Sequence, residues 1–152
     1  MIERIRSVIE TLLVVTFTMM LLIGLLQIAN RYLIGWPINW TEEAQRYLHV
    51  WLVFLALPVG YLTRAHISLE AFDFERWPRF ARWLDMFIDL LWLVLGGALV
   101  WAGSLVARVA HTQTSPGLQI PMSLAYFALI FGGVILSIFS VRKLTVNKRD
   151  KE

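Results

Sequence analysis

Asn39, Glu42, Glu43 and Arg46 crowd the start of an apolar run of membrane length, and Arg31 closes the apolar run before it. Asn39 stands three residues before Glu42, a spacing at which its side chain and the carboxylate satisfy helix-start amides, so a helix is expected to begin there. Glu42 and Glu43 then occupy its first turn, where the positive end of the helix dipole stabilises an exposed carboxylate by about 0.3–1 kcal/mol. Glu42 is also one turn from Arg46, close enough to pair. Two uses of this group stay open. It is either a helix cap with a surface ion pair worth about 0–1 kcal/mol, or, together with Arg31, a contact for another subunit or for lipid headgroups. Arg64 and His66, at the far end of the same run, face the same choice between an interface anchor and specific pairing.

Catalysis and cofactor binding find little support. His49, His66 and His111 could ligate haem only if imidazoles met at one depth on facing helices. His49 lies about two turns into its helix, His66 at the opposite end, and His111 in a polar loop, so their depths differ. His49 is expected to be a bundle histidine with a backbone or carboxylate partner. The chain has no cysteine, which excludes disulfides and thiolate chemistry. Gly-rich phosphate loops, Ser-His-Asp patterns and HExxH are absent from the sequence. The cores of the apolar runs carry no Asp, Glu, Lys or Arg, the groups that ion coupling at membrane depth requires. No catalytic residue, cofactor site or metal site is expected in this chain.

The elements that position these residues follow from composition. A 152-residue chain that is 58% hydrophobic, with mean hydropathy +0.63, exceeds the roughly 45–50% apolar share of soluble domains. Its net charge of +3 sits beside apolar segments, which argues against a nucleic-acid partner and for a bilayer. Thr11 to Asn30 is 20 residues without charge, about 30 Å of helix, enough to cross the hydrocarbon core. Arg4 and Arg6 precede it, but the run is longer than a signal-peptide core and no small-x-small site follows, so an uncleaved anchor is expected. Tyr47 to Thr63 holds 17 uncharged residues and needs the Glu42 to Arg46 turn to reach membrane length, with Pro58 kinking it. Leu90 to Ala107 gives 18 uncharged residues with Gly96, Gly97 and Gly103, and Met122 to Val141 gives 20.

The predicted fold is therefore an all-α integral membrane protein, one domain over 1–152, with spans at about 9–33, 42–63, 86–107 and 122–141. Between the second and third spans, Phe80, Trp83, Leu84 and Phe87 recur at i, i+3, i+4, i+7, with Arg79, Arg82 and Asp85 on other faces. This predicts a short amphipathic helix over about 77–87, anchored in the interface. Eleven Lys and Arg fall on the side of the termini and three on the other, so both termini are expected in the cytoplasm. Trp40, Glu43, Tyr47, Trp51 and Phe54 form one helical stripe, either this protein's own core or a partner face.

Arg31 at the end of the first span, Trp40-Thr41-Glu42-Glu43 with Arg46, Arg64-Ala65-His66-Ile67 with Asp73, and Gly117-Leu118-Gln119-Ile120-Pro121 before the last span occur in this order and spacing. Together they resemble the small (Q-type) membrane subunit of TRAP, the tripartite ATP-independent periplasmic transporters. The resemblance implies a non-catalytic subunit in the bacterial inner membrane that scaffolds a large multi-span permease. A periplasmic binding protein would deliver an organic acid or similar solute, and the larger subunit would use the sodium gradient. The implied contacts to partner or lipid are Arg31, Trp40, Glu42, Glu43, Arg46, Trp51, Arg64 and His66. Two rivals remain at this level: a membrane anchor of a redox or quinone enzyme, and a small homo-oligomeric transporter.

Overall fold

The computed structural model describes residues 2–63 and 78–149. Helix α1 spans Ile2–Ala29 and runs on through a π-helical turn, Asn30–Ile34, that Gly35 ends in a left-handed conformation with φ 72°. Helix α2 spans Trp40–Thr63, α3 Pro78–Ala110 and α4 Ser123–Arg149. All four are long and apolar enough to cross a membrane. They match the predicted spans, with α1 completed by the π-helical turn and α4 starting one residue late at Ser123, and they extend past them by up to about two turns, because backbone hydrogen bonding continues into the charged flanks.

The separate interfacial helix is a correction. Residue 77 lies outside the described residues, and 78–87 form the first turns of α3. Neither glycine nor proline occurs between Pro78 and Gly96, so nothing interrupts the i to i−4 ladder and the amphipathic segment fuses with the span. Phe80, Trp83 and Phe87 are exposed on that end, with Trp83 and Phe87 stacked at 5.5 Å one turn apart. Leu84 is half-buried beside them.

The helices pack as a row, α1 against α2, α2 against α4 and α4 against α3. Helices α2 and α4 are the inner members, and Leu136, Phe139 and Ala128 are almost fully buried along α4. Two adjacent glycines let both neighbours approach. Pro58 of α2 has no N–H for the carbonyl of Phe54, one turn back, and that freed oxygen lies where a Cβ on Gly132 would sit, only 2.4 Å from it. Gly133 faces the other way, where a Cβ would come within 2.8 Å of the Gly96 carbonyl of α3. Such contacts between small residues substitute for a hydrophobic driving force inside lipid. The chain exposes 11,089 Å², whereas a compact soluble chain of this mass exposes about 7,900 Å². A single row leaves long apolar faces of α1, α2 and α3 uncovered.

Candidate functional site

At the end of the bundle away from the termini, α2 begins at Trp40 and the α3–α4 loop folds back over it. The loop is a compact hairpin. Ser115 N–H donates to Ile120 O at 2.9 Å, Gln119 N–H to Ser115 O at 3.0 Å, and Met122 N–H to Gln113 O at 2.9 Å. Gln119 takes a left-handed φ of 55° to close it. The backbone N–H groups of Gly117 and Leu118, at the tip, donate to Glu43 Oε2 at 2.8 and 2.7 Å. A side chain at 117 would collide with that carboxylate, since a Cβ there would lie 2.7 Å from Glu43 Oε2 and 3.1 Å from the Asn39 carbonyl.

Glu43 is thus engaged inside the chain, as a clasp between α2 and the loop, a use neither alternative for this residue anticipated. The loop has two N–H donors without a backbone acceptor, and a carboxylate satisfies both at once. Glu42 and Arg46 are both exposed. The expected Glu42–Arg46 ion pair is not formed: among the described residues the ion pairs are Arg6–Glu10 and Lys143–Asp89. Arg31 is exposed on the π-helical turn, and Trp40 is 39% exposed. Trp51 points into the bundle, donating through Nε1 to Leu124 O at 3.1 Å, its ring tilted against Phe131 at 6.2 Å. The stripe that contains Glu43 and Trp51 therefore turns towards α4 and its loop. Arg64 and His66 lie outside the described residues.

Between α2 and α4 a cleft of about 350 Å³ is lined by Tyr47, Val50, Phe54, Met122, Ala125 and Leu129, with Glu43 and Arg46 at its rim. A second hollow of about 240 Å³ shares Glu43 and Arg46 and adds Asn39, Glu42, Pro116 and Gly117. On the outward face of α2, His49, Val53, Ala56 and Gly60 are exposed at alternating spacings of four and three. The expectation of a bundle-facing His49 is therefore corrected: the Glu43 face took the contacts with α4, leaving the histidine about a quarter-turn or more away to point outward. His111 is placed by a 3.4 Å contact with Ser123 Oγ in the loop.

Sequence reasoning missed a second cluster at the opposite end. Asp89, 1% exposed, accepts from Tyr61 OH at 2.8 Å and pairs with Lys143 Nζ at 3.1 Å. The Lys143 ammonium also lies 5.1 Å from the Tyr61 ring centroid. The cluster ties α2, α3 and α4 together. Its signal was legible: an acid just before one apolar run and a base just after another, which the antiparallel arrangement of α3 and α4 brings to the same level.

With this geometry in place, comparisons with known proteins give a consistent result. A family model described as "Tripartite ATP-independent periplasmic transporters, DctQ component" matches residues 5–148. A Haemophilus influenzae protein described as a TRAP transporter small permease protein is 26% identical over 92% of this chain and 87% of its own length. The isethionate TRAP transporter permease protein DctMQ of Oleidesulfovibrio alaskensis is 32% identical over 59% of this chain. The chain spans only 14% of that longer protein.

Proposed function

This chain belongs to the DctQ component family of the tripartite ATP-independent periplasmic transporters, and on that premise we propose that it scaffolds the large permease subunit of one such transporter. It is a small permease subunit, a multi-pass protein of the bacterial inner membrane and a transport component rather than an enzyme. The observation that carries the scaffolding role is the single row of helices, whose uncovered apolar faces widen the anchored part of a larger assembly. The face of α2 carrying His49, Val53, Ala56 and Gly60 is the contact with that subunit. An imidazole turned outward at this depth is costly against lipid and is matched by a polar group on a protein partner, while Ala56 and Gly60 allow close helix approach.

The remaining parts of the assembly follow from the resemblance and the charge pattern. Both termini lie in the cytoplasm, by the excess of Lys and Arg on their side, which places the Glu43 clasp on the periplasmic face. There it stands beside a soluble binding protein that delivers the solute. The solute is a small organic acid, in keeping with the relative named for isethionate, and the large subunit couples its uptake to sodium. Asp89, the acid buried in a helix wall, is occupied by Tyr61 and Lys143, which supports a structural rather than an ion-carrying role.

The test is solute uptake in vesicles holding the large permease with and without this chain, under an inward sodium gradient and with the binding protein supplied outside. Uptake that needs both membrane subunits supports the proposal. Full-rate uptake by the large subunit alone overturns it.

A further inference from the structure

We propose that the cleft between α2 and α4 holds one phospholipid whose headgroup carries a primary amine, with the phosphate on Arg46, the ammonium against Glu42 and an acyl chain along the apolar wall. The order of chemistry along the cleft is that of a phospholipid. Its wall is largely apolar, with Val50, Phe54, Met122, Ala125 and Leu129 beside the rings of Tyr47 and Tyr126, and its Glu43 and Arg46 end continues into the polar hollow bounded by Asn39, Glu42 and Arg46. The depth agrees independently. Trp40, the first residue of α2, is exposed, and Trp36, four residues before it, is 73% exposed, an aromatic level that marks the headgroup region of a bilayer.

Charge selects the headgroup. Arg46 is exposed and free of any ion pair among the described residues, so its guanidinium is available as a planar, multidentate phosphate donor. The two carboxylates beside it outnumber it, and Glu43 Oε2 is already taken by Gly117 and Leu118. Glu42 is left as an exposed acceptor one turn from Arg46. A net negative rim disfavours a headgroup that brings only negative charge, and an acceptor beside the phosphate site favours one that also brings N–H donors. Phosphatidylethanolamine meets both conditions. Phosphatidylcholine has the same net charge but no N–H, and phosphatidylglycerol has the phosphate without the cation. Glu42 and Arg46 continue the exposed His49 to Gly60 stripe towards the start of α2, while the cleft itself opens towards α4, and its assignment does not rest on the scaffolding role.

The experiment is native mass spectrometry of the full chain, purified in mild detergent with any partner that stays bound and offered the three lipids with identical acyl chains. The expected result is one tightly retained lipid, with ethanolamine preferred over glycerol by about two- to fivefold, the range of an exposed ion pair. Glu42→Gln brings the ethanolamine-to-choline ratio close to one. Ala125→Phe, which fills the wall from α4, abolishes retention in protein whose helical circular dichroism is unchanged. Equal or greater retention of the glycerol lipid overturns the proposal, as does an ethanolamine preference that survives Glu42→Gln, retention that survives Ala125→Phe in folded protein, or a bound partner that leaves no lipid. Should Ala125→Phe fail to fold, Glu42→Gln, at an exposed position, decides alone.

Discussion

Replacing Glu43 by alanine removes the single acceptor of two backbone donors, and the consequence is local enough to be measured amide by amide. Glu43 Oε2 receives Gly117 N–H at 2.8 Å and Leu118 N–H at 2.7 Å, short distances of the charge-assisted kind. Each such bond contributes about 1.5–3 kcal/mol when one partner is ionised. The clasp is only partly buried, so the lower end applies and the pair is worth about 3 kcal/mol. If opening of the loop governs exchange, its equilibrium shifts by about 3 kcal/mol, or roughly 100-fold, since 1.4 kcal/mol is a factor of ten. Hydrogen–deuterium exchange over residues 112–122 in detergent or nanodiscs reads this directly. Glu43→Ala should speed exchange of the Gly117 and Leu118 amides by about two orders of magnitude. Exchange at Ser115 and Met122, held by the hairpin's own bonds, should change much less. Glu43→Gln keeps a neutral acceptor and should fall between. Unchanged rates at Gly117 and Leu118 in the alanine variant would refute the clasp and return Glu43 to a cap or a partner contact.

Two further substitutions probe the packing. Gly132→Ala puts a methyl 2.4 Å from the Phe54 carbonyl, so α2 and α4 must separate; a loss of about 1–3 kcal/mol is expected in denaturant unfolding, against almost none for Gly97→Ala, whose Cβ meets open space. At the other end, Lys143→Met strands a carboxylate that is 1% exposed and should cost about 3 kcal/mol, the low end for breaking a buried pair because Lys143 is itself partly exposed. Asp89→Asn keeps a partner for Tyr61 and lets Lys143 extend to the interface, so it should cost about 1 kcal/mol. The reverse order in thermal unfolding would show that the lysine, not the aspartate, is the strained member.

What the sequence made legible was set by bilayer physics. Uncharged runs such as Thr11 to Asn30 can be little else than spans, because every backbone group must be bonded internally across the hydrocarbon. The start of α2 beside Asn39 and the loop over His111 to Pro116 were similarly placed by local sequence, although the Asn39 and Glu42 side chains make none of the capping bonds their spacing allows. The fusion of 78–87 into α3 was not. The i, i+3, i+4, i+7 pattern of Phe80 to Phe87 identifies a helix but not where it ends, and only the absence of a breaker before Gly96 pointed to continuity. The partner of Glu43 lay beyond local reasoning, since it is more than 50 positions away at Gly117; that of Asp89, Lys143, is as distant along the chain and was legible only from the antiparallel levels of two apolar runs. Spacing along one helix says which side chains share a face, whereas these contacts depend on the order in which the helices sit side by side. The glycines show the same limit: Gly96 and Gly103 face α4 closely while Gly97 meets nothing, a distinction of one residue that the packing of α3 decides.

The most direct test of the account is isolation of the full chain, tagged in its native host and gently solubilised, followed by mass spectrometry of what accompanies it. A scaffolding subunit should bring down a larger multi-span permease in a fixed ratio, weakened by replacing Ala56 or Gly60 with leucine on the outward face of α2. Recovery of the chain alone, or with a haem or flavin enzyme, would contradict it.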